Sequence, residues 1–314
     1  MKRILVTGAL GQIGSELTIE LRRRYGNENV IASDIHKPDE AFEKTGPFHI
    51  ADVTKPETLQ CLIKEYNIDT IFHLAAILSA VGEQRPEFCW NTNMVGTMNV
   101  LQLGVQNKIE KVILPSSMAV WGAGAPQENT PQESVLKPTT MYGITKVAGE
   151  LLCDYYFNKF GLDCRGLRYP GIISSETLPG GGTTDYAVEI YYDAIKTKHY
   201  NCFLKENTML PMMYMPDCLN ATISLAEADI KNLKHHGDFN LAAFSFTPKE
   251  LAECIKKFIP DFTIEYNPDY RQAIAESWPH TIDDSAARKE WGWKPQYDME
   301  TMTRDMIQKL KTRL

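Results

Sequence analysis

The sequence lacks the patterns that define several classes of protein. Its seven cysteines form no C-x-x-C pair, and no H-x-x-H or H-E-x-x-H pattern occurs, which argues against a zinc cluster or a disulfide framework. The net charge of -7 includes no block of lysine and arginine, so neither nucleic acid nor an anionic membrane is favoured as a partner. No apolar run reaches membrane-spanning length, and "MKRILVTG" already has the pattern of a strand entering a turn. We therefore expect a soluble, cytoplasmic protein that has reduced thiols and binds a small molecule but no metal. A processed organellar form would share these features.

Apolar stretches of strand length alternate with stretches of helical periodicity over the first 170 residues. The strand-like stretches include "RILVTG", "NVIASD", "DTIFHLAA", "KVILPSS" and "DCRGLRYP", and the helical ones include "NTNMVGTMNVLQLGVQN" and "YGITKVAGELLCDYYFNKFG". This alternation predicts an α/β fold built on a Rossmann-like doubly wound parallel sheet with helices on both faces.

The turn after the first predicted strand is rich in glycine. "TGALGQIG" places Gly8, Gly11 and Gly14 where glycines permit a tight turn, close approach to a pyrophosphate and close packing of helix on strand. Asp34 ends the second strand, where a carboxylate accepts hydrogen bonds from an adenosine ribose and repels a 2'-phosphate. The combination predicts NAD, rather than NADP, as the cofactor.

Other residues are predicted to contact the same cofactor. Asp52 and Val53 follow the third strand and suit an adenine edge, although Asp52 is equally suited to a helix cap. The small residues Ala75 and Ala76 follow the fourth strand and would let the cofactor lie against the sheet. The remaining predicted cofactor contacts are Gln12, Ile13, Leu74, Asn93, Tyr142, Lys146 and Ile172.

Beyond Pro170 the pattern becomes less regular, because glycines and prolines crowd the loops. We predict an NAD-binding Rossmann domain over residues 1–170 and a smaller substrate-binding lobe over residues 171–211 and 246–314. The stretch "LPMMYMPDCLNATISLAEA" is expected to return to the main sheet, so residues 212–245 are assigned to the first domain.

A tyrosine and a lysine four positions apart, Tyr142 and Lys146, are the best candidates for chemistry. On a helix this spacing puts both side chains on one face, and an ammonium near a phenol lowers the pKa of the phenol. Ser116 and Ser117 end the fifth predicted strand, where a hydroxyl can orient a substrate oxygen toward Tyr142. A Tyr-x-x-x-Lys pair alone is usually a solvated helix face, but the glycine turn and the serines favour a proton-transfer site.

In order along the chain, "TGALGQIG", "HLAA", "PSS" and "YGITK" resemble the motifs of the extended short-chain dehydrogenase/reductases, and the resemblance covers nearly the whole chain. It implies that Ser117 or Ser116, Tyr142 and Lys146 form the catalytic set, and that Asn93 supports a proton relay. Extended members commonly pair two of their helices across a two-fold axis, which implies a homodimer.

Four further segments look like the short-chain type of L-threonine 3-dehydrogenases: "LRYPGIIS", "GGGTTDYAVEIYYDAI", "LPMMYMPDCLNA" and "ESWPHTIDDSAARKEWGW". This resemblance implies oxidation of L-threonine at its β-carbon hydroxyl to 2-amino-3-oxobutanoate, with Tyr142 as general base and hydride transfer to NAD+. The alternative is a nucleotide-sugar epimerase or dehydratase of the same extended family. Two absences argue against this alternative. "LRYPGIIS" lacks the asparagine that would bind a nucleotide, and the C-terminal lobe lacks the arginine motif that would bind its diphosphate.

The second glycine-rich stretch, "PGGGTTDYAVE", precedes a predicted helix and has no basic residue beside it. Its hydroxyls suit a small zwitterion better than a diphosphate, and the helix N-terminus favours the carboxylate end of such a ligand. Asp185 is left out of the site because it is equally suited to charging the first helical turn. The resemblance places the substrate among Ser79, Ser116, Ser117, Tyr142, Thr183, Thr184 and Trp278, of which Ser79 and Trp278 also suit purely structural roles.

Overall fold

The computed structural model describes residues 1–122 and 124–314. Its strands are, in chain order, β1 Ile4–Thr7, β2 Val30–Asp34, β3 Phe48–Ile50, β4 Thr70–His73, β5 Lys111–Ile113, β6 Ser116–Ser117, β7 Asp163–Arg165, β8 Leu167–Tyr169, β9 Gly171–Ile173, β10 His199–Cys202, β11 Leu210–Tyr214, β12 Phe239–Asn240, β13 Phe244–Phe246 and β14 Thr263–Tyr266. The helices are α1 Gln12–Tyr25, α2 Glu40–Glu43, α3 Pro56–Glu65, α4 Ser79–Gln84, α5 Pro86–Trp90, α6 Gly96–Gln106, α7 Met141–Phe160, α8 Tyr186–Lys196, α9 Met215–Glu227, α10 Pro248–Lys256, α11 Arg271–Ala275, α12 Ser285–Trp291 and α13 Met299–Arg313.

The main sheet has the strand order β3-β2-β1-β4-β5-β7, and all of its neighbouring strands are parallel. The order changes direction between β1 and β4, so the connections leave a crevice at the carboxyl ends of these two strands. The predicted Rossmann-like doubly wound sheet is confirmed.

Each face of the main sheet is covered by helices through apolar side chains at helical spacing. On one face, Leu17 and Leu21 of α1 are buried with Val6 of β1. On the other face, Leu59 of α3 and Leu101 of α6 share a core. Among the described residues, no helix is long and apolar enough to cross a membrane.

Two stretches that the sequence indicates as single strands are each divided between two sheets. "KVILPSS" forms β5 and β6, and "DCRGLRYP" forms β7 and β8, so β6 and β8 leave the main sheet and pair in the order β12-β8-β6. In the second stretch the break between β7 and β8 falls at Gly166, where an added Cβ would lie 2.3 Å from the Gly237 carbonyl oxygen and 2.6 Å from that of Leu114. Because both halves are buried, the apolar pattern runs through the break without a signal.

The segment "LPMMYMPDCLNATISLAEA" is predicted from its sequence to return to the main sheet. This prediction is wrong for β11, the strand that the segment begins with. β11 pairs in parallel with β9 and antiparallel with β13, in a sheet of its own. The helix that follows, α9, does pack on the main sheet, because Ile223 and Ala226 lie in the same core as Leu17. An apolar strand pattern indicates burial on both faces, but it does not identify the sheet that the strand joins.

The expectation of seven reduced thiols is wrong for one pair of cysteines. Cys153 of α7 and Cys164 of β7 form a disulfide, with their Cα atoms 5.2 Å apart. The two residues meet because α7 packs directly on β7, and their separation in the sequence matches no recognisable motif.

Arg165 links the edge strand β7 to the end of α9. Its guanidinium donates to both carboxylate oxygens of Asp163 at 2.7 Å and to the carbonyl oxygens of Leu225 and Ala228 at 2.6 and 2.7 Å. The side chain is only 1% exposed, so its loss would leave a carboxylate and two carbonyl groups without their donor.

We expect Arg165→Ala to lower the free energy of unfolding by about 3 kcal/mol or more, because removing one partner of a buried ion pair is strongly destabilising. Urea unfolding followed by circular dichroism measures the change. The control is Arg23→Ala, since Arg23 is 70% exposed and pairs only with Glu20 of its own helix. Equal midpoints for the two variants would contradict the assigned role of Arg165.

Candidate active site

The glycine turn brings the start of α1 against the ends of β1 and β4. Gly8 has a φ of +68°, and an added Cβ would lie 2.5 Å from the backbone nitrogen of Ala75. A Cβ on Gly14 would lie 2.0 Å from the Gly8 carbonyl oxygen. Glycine is therefore required at both positions, and the backbone forms a close-packed floor at the switch point of the sheet.

The residues around this floor fit a dinucleotide. The Asp34 carboxylate accepts hydrogen bonds from Leu10 N at 3.0 Å and His36 N at 3.2 Å, which fixes it beside the glycine turn. Gln12 Nε2, at the first residue of α1, is buried and has no hydrogen-bond partner within residues 1–122 and 124–314. A buried donor without a partner at a helix N-terminus suits a phosphate oxygen, and the Asp34 carboxylate suits ribose hydroxyls.

Two residues assigned to the adenine end differ in what holds them. Asp52 accepts hydrogen bonds from the backbone nitrogen and hydroxyl of Thr54, at 2.9 and 2.7 Å, so its side chain stabilises the turn before α3. Val53 is buried beneath Gly96 of α6, and its carbonyl oxygen accepts a bond from Asn99 Nδ2 at 2.9 Å. The helix-cap alternative for Asp52 is wrong, because Lys55 is the N-cap residue of α3 and the Asp52 carboxylate binds Thr54 within the preceding turn.

Tyr142 and Lys146 lie in the first two turns of α7, which Thr140 caps by accepting a hydrogen bond from Gly143 N at 3.1 Å. Lys146 Nζ lies 5.4 Å from the centroid of the Tyr142 ring and donates to the Pro115 carbonyl oxygen at 2.7 Å. The ammonium therefore lies beside the ring, and a backbone carbonyl at the end of β5 holds it there.

The prediction that Lys146 lowers the pKa of Tyr142 is wrong for the protein without a bound ligand. Burial raises the pKa of Tyr142 to about 12, and a hydrogen bond with Ser117 opposes that rise. Burial also lowers the pKa of Lys146 to about 8. Desolvation therefore disfavours the charged form of both groups.

The two serines at the strand end make different contacts. Ser116 is buried and donates to Glu150, which in turn binds Arg168. Ser117 lies close enough to the Tyr142 phenol to lower its pKa, and its hydroxyl accepts a hydrogen bond from Ala119 N at 3.2 Å. Neighbouring residues of a strand point in opposite directions, so only Ser117 is directed toward the tyrosine.

Asn93 lies in a π-helical turn, Asn91–Val95, that precedes α6. Its amide accepts a hydrogen bond from Ile77 N at 2.8 Å, and donates to Ile77 O at 3.1 Å and to Thr145 Oγ1 at 3.0 Å. Asn93 thus ties the segment after β4 to α7, next to Lys146. Single π-helical turns of this kind often occur at functional sites.

The glycine-rich segment before α8 folds over α4. Thr183 is buried, and its hydroxyl lies 3.2 Å from that of Ser79. The side chain of Thr184 lies against Gly171, at the start of β9. Ser79 and Thr183 therefore lie together, as expected if both bind one substrate. Thr184 makes a packing contact with Gly171 instead.

Asp185 has a role in this segment that the sequence analysis missed. Its carboxylate accepts hydrogen bonds from Gly181 N at 3.0 Å and Gly182 N at 2.8 Å, instead of capping α8. Burial raises its pKa to about 6. The position of Asp185 directly after the two threonines was the sequence signal for a role in this loop. The sequence does not show that its side chain turns back to the preceding glycines, because that direction depends on the folded loop.

Residues from separate parts of the sequence converge beside the end of β4. One cavity is lined by His73, Ala75, Ala76, Asn93, Ser116, Thr145, Lys146 and Glu150. Trp278 is buried in the same hydrophobic core as Tyr142, and Ile172 of β9 lies opposite Met213. The cavity thus brings predicted cofactor residues together with Ser116 and Lys146 of the predicted catalytic set.

The sequence of residues 4–242 matches the NAD dependent epimerase/dehydratase family. The chain belongs to this family of NAD-dependent enzymes, and the resemblance to the extended short-chain dehydrogenase/reductases is confirmed.

Individual relatives are similar over almost their whole length. The structure of L-threonine dehydrogenase from Clostridium difficile is 52% identical, with a TM-score of 0.97 and coverage of 100% of this chain and 98% of that chain. A monomeric L-threonine 3-dehydrogenase from a metagenome is 48% identical, with a TM-score of 0.96 and 99% coverage of both chains. An uncharacterized epimerase/dehydratase of Staphylococcus saprophyticus is 48% identical over 98% of this chain and 96% of its own.

The different contacts of the two serines predict different effects of their removal. We expect Ser117→Ala to lower kcat by about 10²-fold and to shift the alkaline rise of kcat/KM to higher pH, because the lost hydrogen bond holds down the Tyr142 pKa. Ser116→Ala should keep kcat within about tenfold and instead reduce stability, since Ser116 binds Glu150. Rate profiles between neutral and alkaline pH measure both effects, and a larger kcat loss in Ser116→Ala would reverse the assignment.

Proposed function

We propose that this protein oxidises the β-carbon hydroxyl of L-threonine to give 2-amino-3-oxobutanoate, with NAD+ as the oxidant. The observation that carries the proposal is that Ser117, Tyr142 and Lys146 lie together at the start of α7, and that α4, whose Ser79 hydroxyl meets that of Thr183, packs against this part of α7. The first group suits alcohol oxidation, and the second suits the polar end of a small amino acid. Similar proteins described as L-threonine dehydrogenases give further support.

In this proposal each side chain has one task. Ser117 donates a hydrogen bond to the substrate oxygen and fixes it next to Tyr142. The phenolate of Tyr142 takes the hydroxyl proton as the C–O bond becomes a carbonyl. Lys146 contributes positive charge beside the phenol and holds the ribose of the cofactor. When bound, NAD+ would supply the hydride acceptor for the β-carbon and a positive charge that would favour the phenolate of Tyr142.

The cofactor contacts of the proposal follow the fit described above. Gly8, Gly11 and Gly14 leave room for the pyrophosphate, and Gln12 Nε2 donates to it. The Asp34 carboxylate binds the adenosine ribose, so NAD should be strongly preferred over NADP because a 2'-phosphate would meet a negative charge. The substrate-binding role of residues 171–211 and 246–314 is part of the same proposal.

The direct test is NADH formation by the purified protein. We expect L-threonine with NAD+ to give NADH, while NADP+ or UDP-sugars give little or no signal. Tyr142→Phe should lower kcat by about 10²-fold or more, because the proton acceptor is lost. Tyr155→Phe is the matched control, since Tyr155 is exposed on the same helix. Binding of UDP-sugars without any NADH from L-threonine would favour the epimerase or dehydratase alternative.

We also propose that the protein is a homodimer. Apolar side chains of α5 and α7, which pack against each other, are exposed on the surface: Phe88, Trp90, Ile144, Leu151 and Tyr155. Leu151 is 64% exposed, although it lies at the centre of α7. An apolar face of adjacent helices is typical of an interface between subunits. Since one similar protein is described as monomeric, the assembly must be measured for this chain.

We expect a dimer at micromolar concentration and a monomer for Leu151→Arg, because a guanidinium would be buried without a partner at the interface. Light scattering coupled to size-exclusion chromatography measures the mass. Arg23→Ala serves as the surface control. A monomeric wild-type protein would contradict the homodimer proposal and leave the catalytic proposal intact.

A further inference from the structure

The segment Ser174–Thr177 connects β9 to the glycine-rich substrate loop, residues 178–184, and it is bound to α1. Ser174 donates to the Glu16 carboxylate and accepts hydrogen bonds from Glu176 N at 2.9 Å and Thr177 N at 3.1 Å. The hydroxyls of Ser15 and Thr177 lie 3.1 Å apart. Since Ser15 and Glu16 follow the glycine turn directly, the entrance to the substrate loop is attached to the cofactor helix.

The other side of this segment is bound by the last residue of α13. The Arg313 guanidinium donates to the carbonyl oxygen of Ser175 and, at 2.9 Å, to that of Glu176. It also lies 3.2 Å from the Glu176 carboxylate. One planar side chain thus binds two successive backbone carbonyl groups just before the loop begins, a geometry that the forked donors of arginine allow and a lysine ammonium does not reproduce.

The helix that carries Arg313 is firmly packed. Met302, Met306 and Leu310 of α13 are buried in the core that also contains α8. Tyr214 adds a polar link, because its hydroxyl donates to Asp305 at 2.7 Å and lies 3.3 Å from the Ser175 hydroxyl. The guanidinium is therefore presented from a fixed helix, and the segment is held between that helix and α1.

We propose that Arg313 is a positioning residue for the substrate loop, which it holds in the conformation that brings Thr183 to Ser79. The assignment of that loop to substrate rests on the proposed function. Arg313 itself lies outside the reacting groups, so its loss should weaken substrate binding more than the chemical step. NAD binding should be unaffected, because the glycine turn keeps its contacts with β4.

The test compares Arg313→Gln with Arg313→Lys and with a matched control, Arg304→Gln. Arg304 lies on the same helix, and its exposed side chain pairs with Glu300 at 3.4 Å and lies 5.9 Å from the centroid of the Phe258 ring. In Arg313→Gln we expect faster hydrogen exchange of the backbone amides of residues 178–184, and a KM for L-threonine raised roughly three- to tenfold with kcat changed less than about twofold. Arg313→Lys should fall between that variant and the wild type, and Arg304→Gln should match the wild type in both measurements.

Two outcomes would overturn the proposal. One is exchange of the loop amides in Arg313→Gln at the rate found for Arg304→Gln. The other is a fall in both kcat and thermal stability in Arg313→Gln with no change in KM. That result would mean that Arg313 only supports the fold. If the wild type does not oxidise L-threonine, the proposed function fails, and the exchange comparison alone then decides the role of Arg313.

Discussion

The geometry of the active site depends on a buried ion pair between Glu150 of α7 and Arg168 of β8. The guanidinium donates to both carboxylate oxygens, at 2.9 and 2.8 Å, and to Asn240 Oδ1 at 3.1 Å. Ser116 of β6 donates to the same carboxylate. One cluster therefore joins α7 to the three strands of the β12-β8-β6 sheet. Loss of either partner would leave the other buried without its counter-charge, so the pair holds these elements in their observed arrangement.

This arrangement determines where the proposed catalytic side chains lie. Glu150 is four residues beyond Lys146 and eight beyond Tyr142, so a helix fixed at Glu150 presents all three on one face. Ser116 binds Glu150, and the next residue along the chain, Ser117, lies near Tyr142, about two turns earlier in the same helix. The Glu150 carboxylate also raises the pKa of Lys146 against the effect of burial. The same pair thus orients the serine and favours the charged lysine.

The fold was largely predictable from the sequence because its signals are local. The glycine turn and the alternation of apolar segments follow from neighbouring residues, and the predicted helix at residues 142–161 differs by one residue at each end from α7. The divided strands, the β9-β11 pairing and the Cys153–Cys164 disulfide were not predictable, because each depends on contacts between distant parts of the chain. For the site, the sequence identified the Tyr142 and Lys146 pair, but the direction of each serine side chain depends on Glu150 and Arg168.

The substrate loop illustrates why a glycine-rich turn before a helix does not by itself make an anion site. The amides of Gly181 and Gly182 are already paired with the Asp185 carboxylate. In the first turn of α8, Ala187 N and Val188 N donate to the carbonyl oxygens of Thr184 and Asp185. The expected attraction of the helix N-terminus for a substrate carboxylate is therefore opposed, because an ionised side chain lies where that anion would bind. Burial raises the pKa of Asp185 to about 6, so its carboxylate still carries charge at neutral pH and opposes a second anion at these amides.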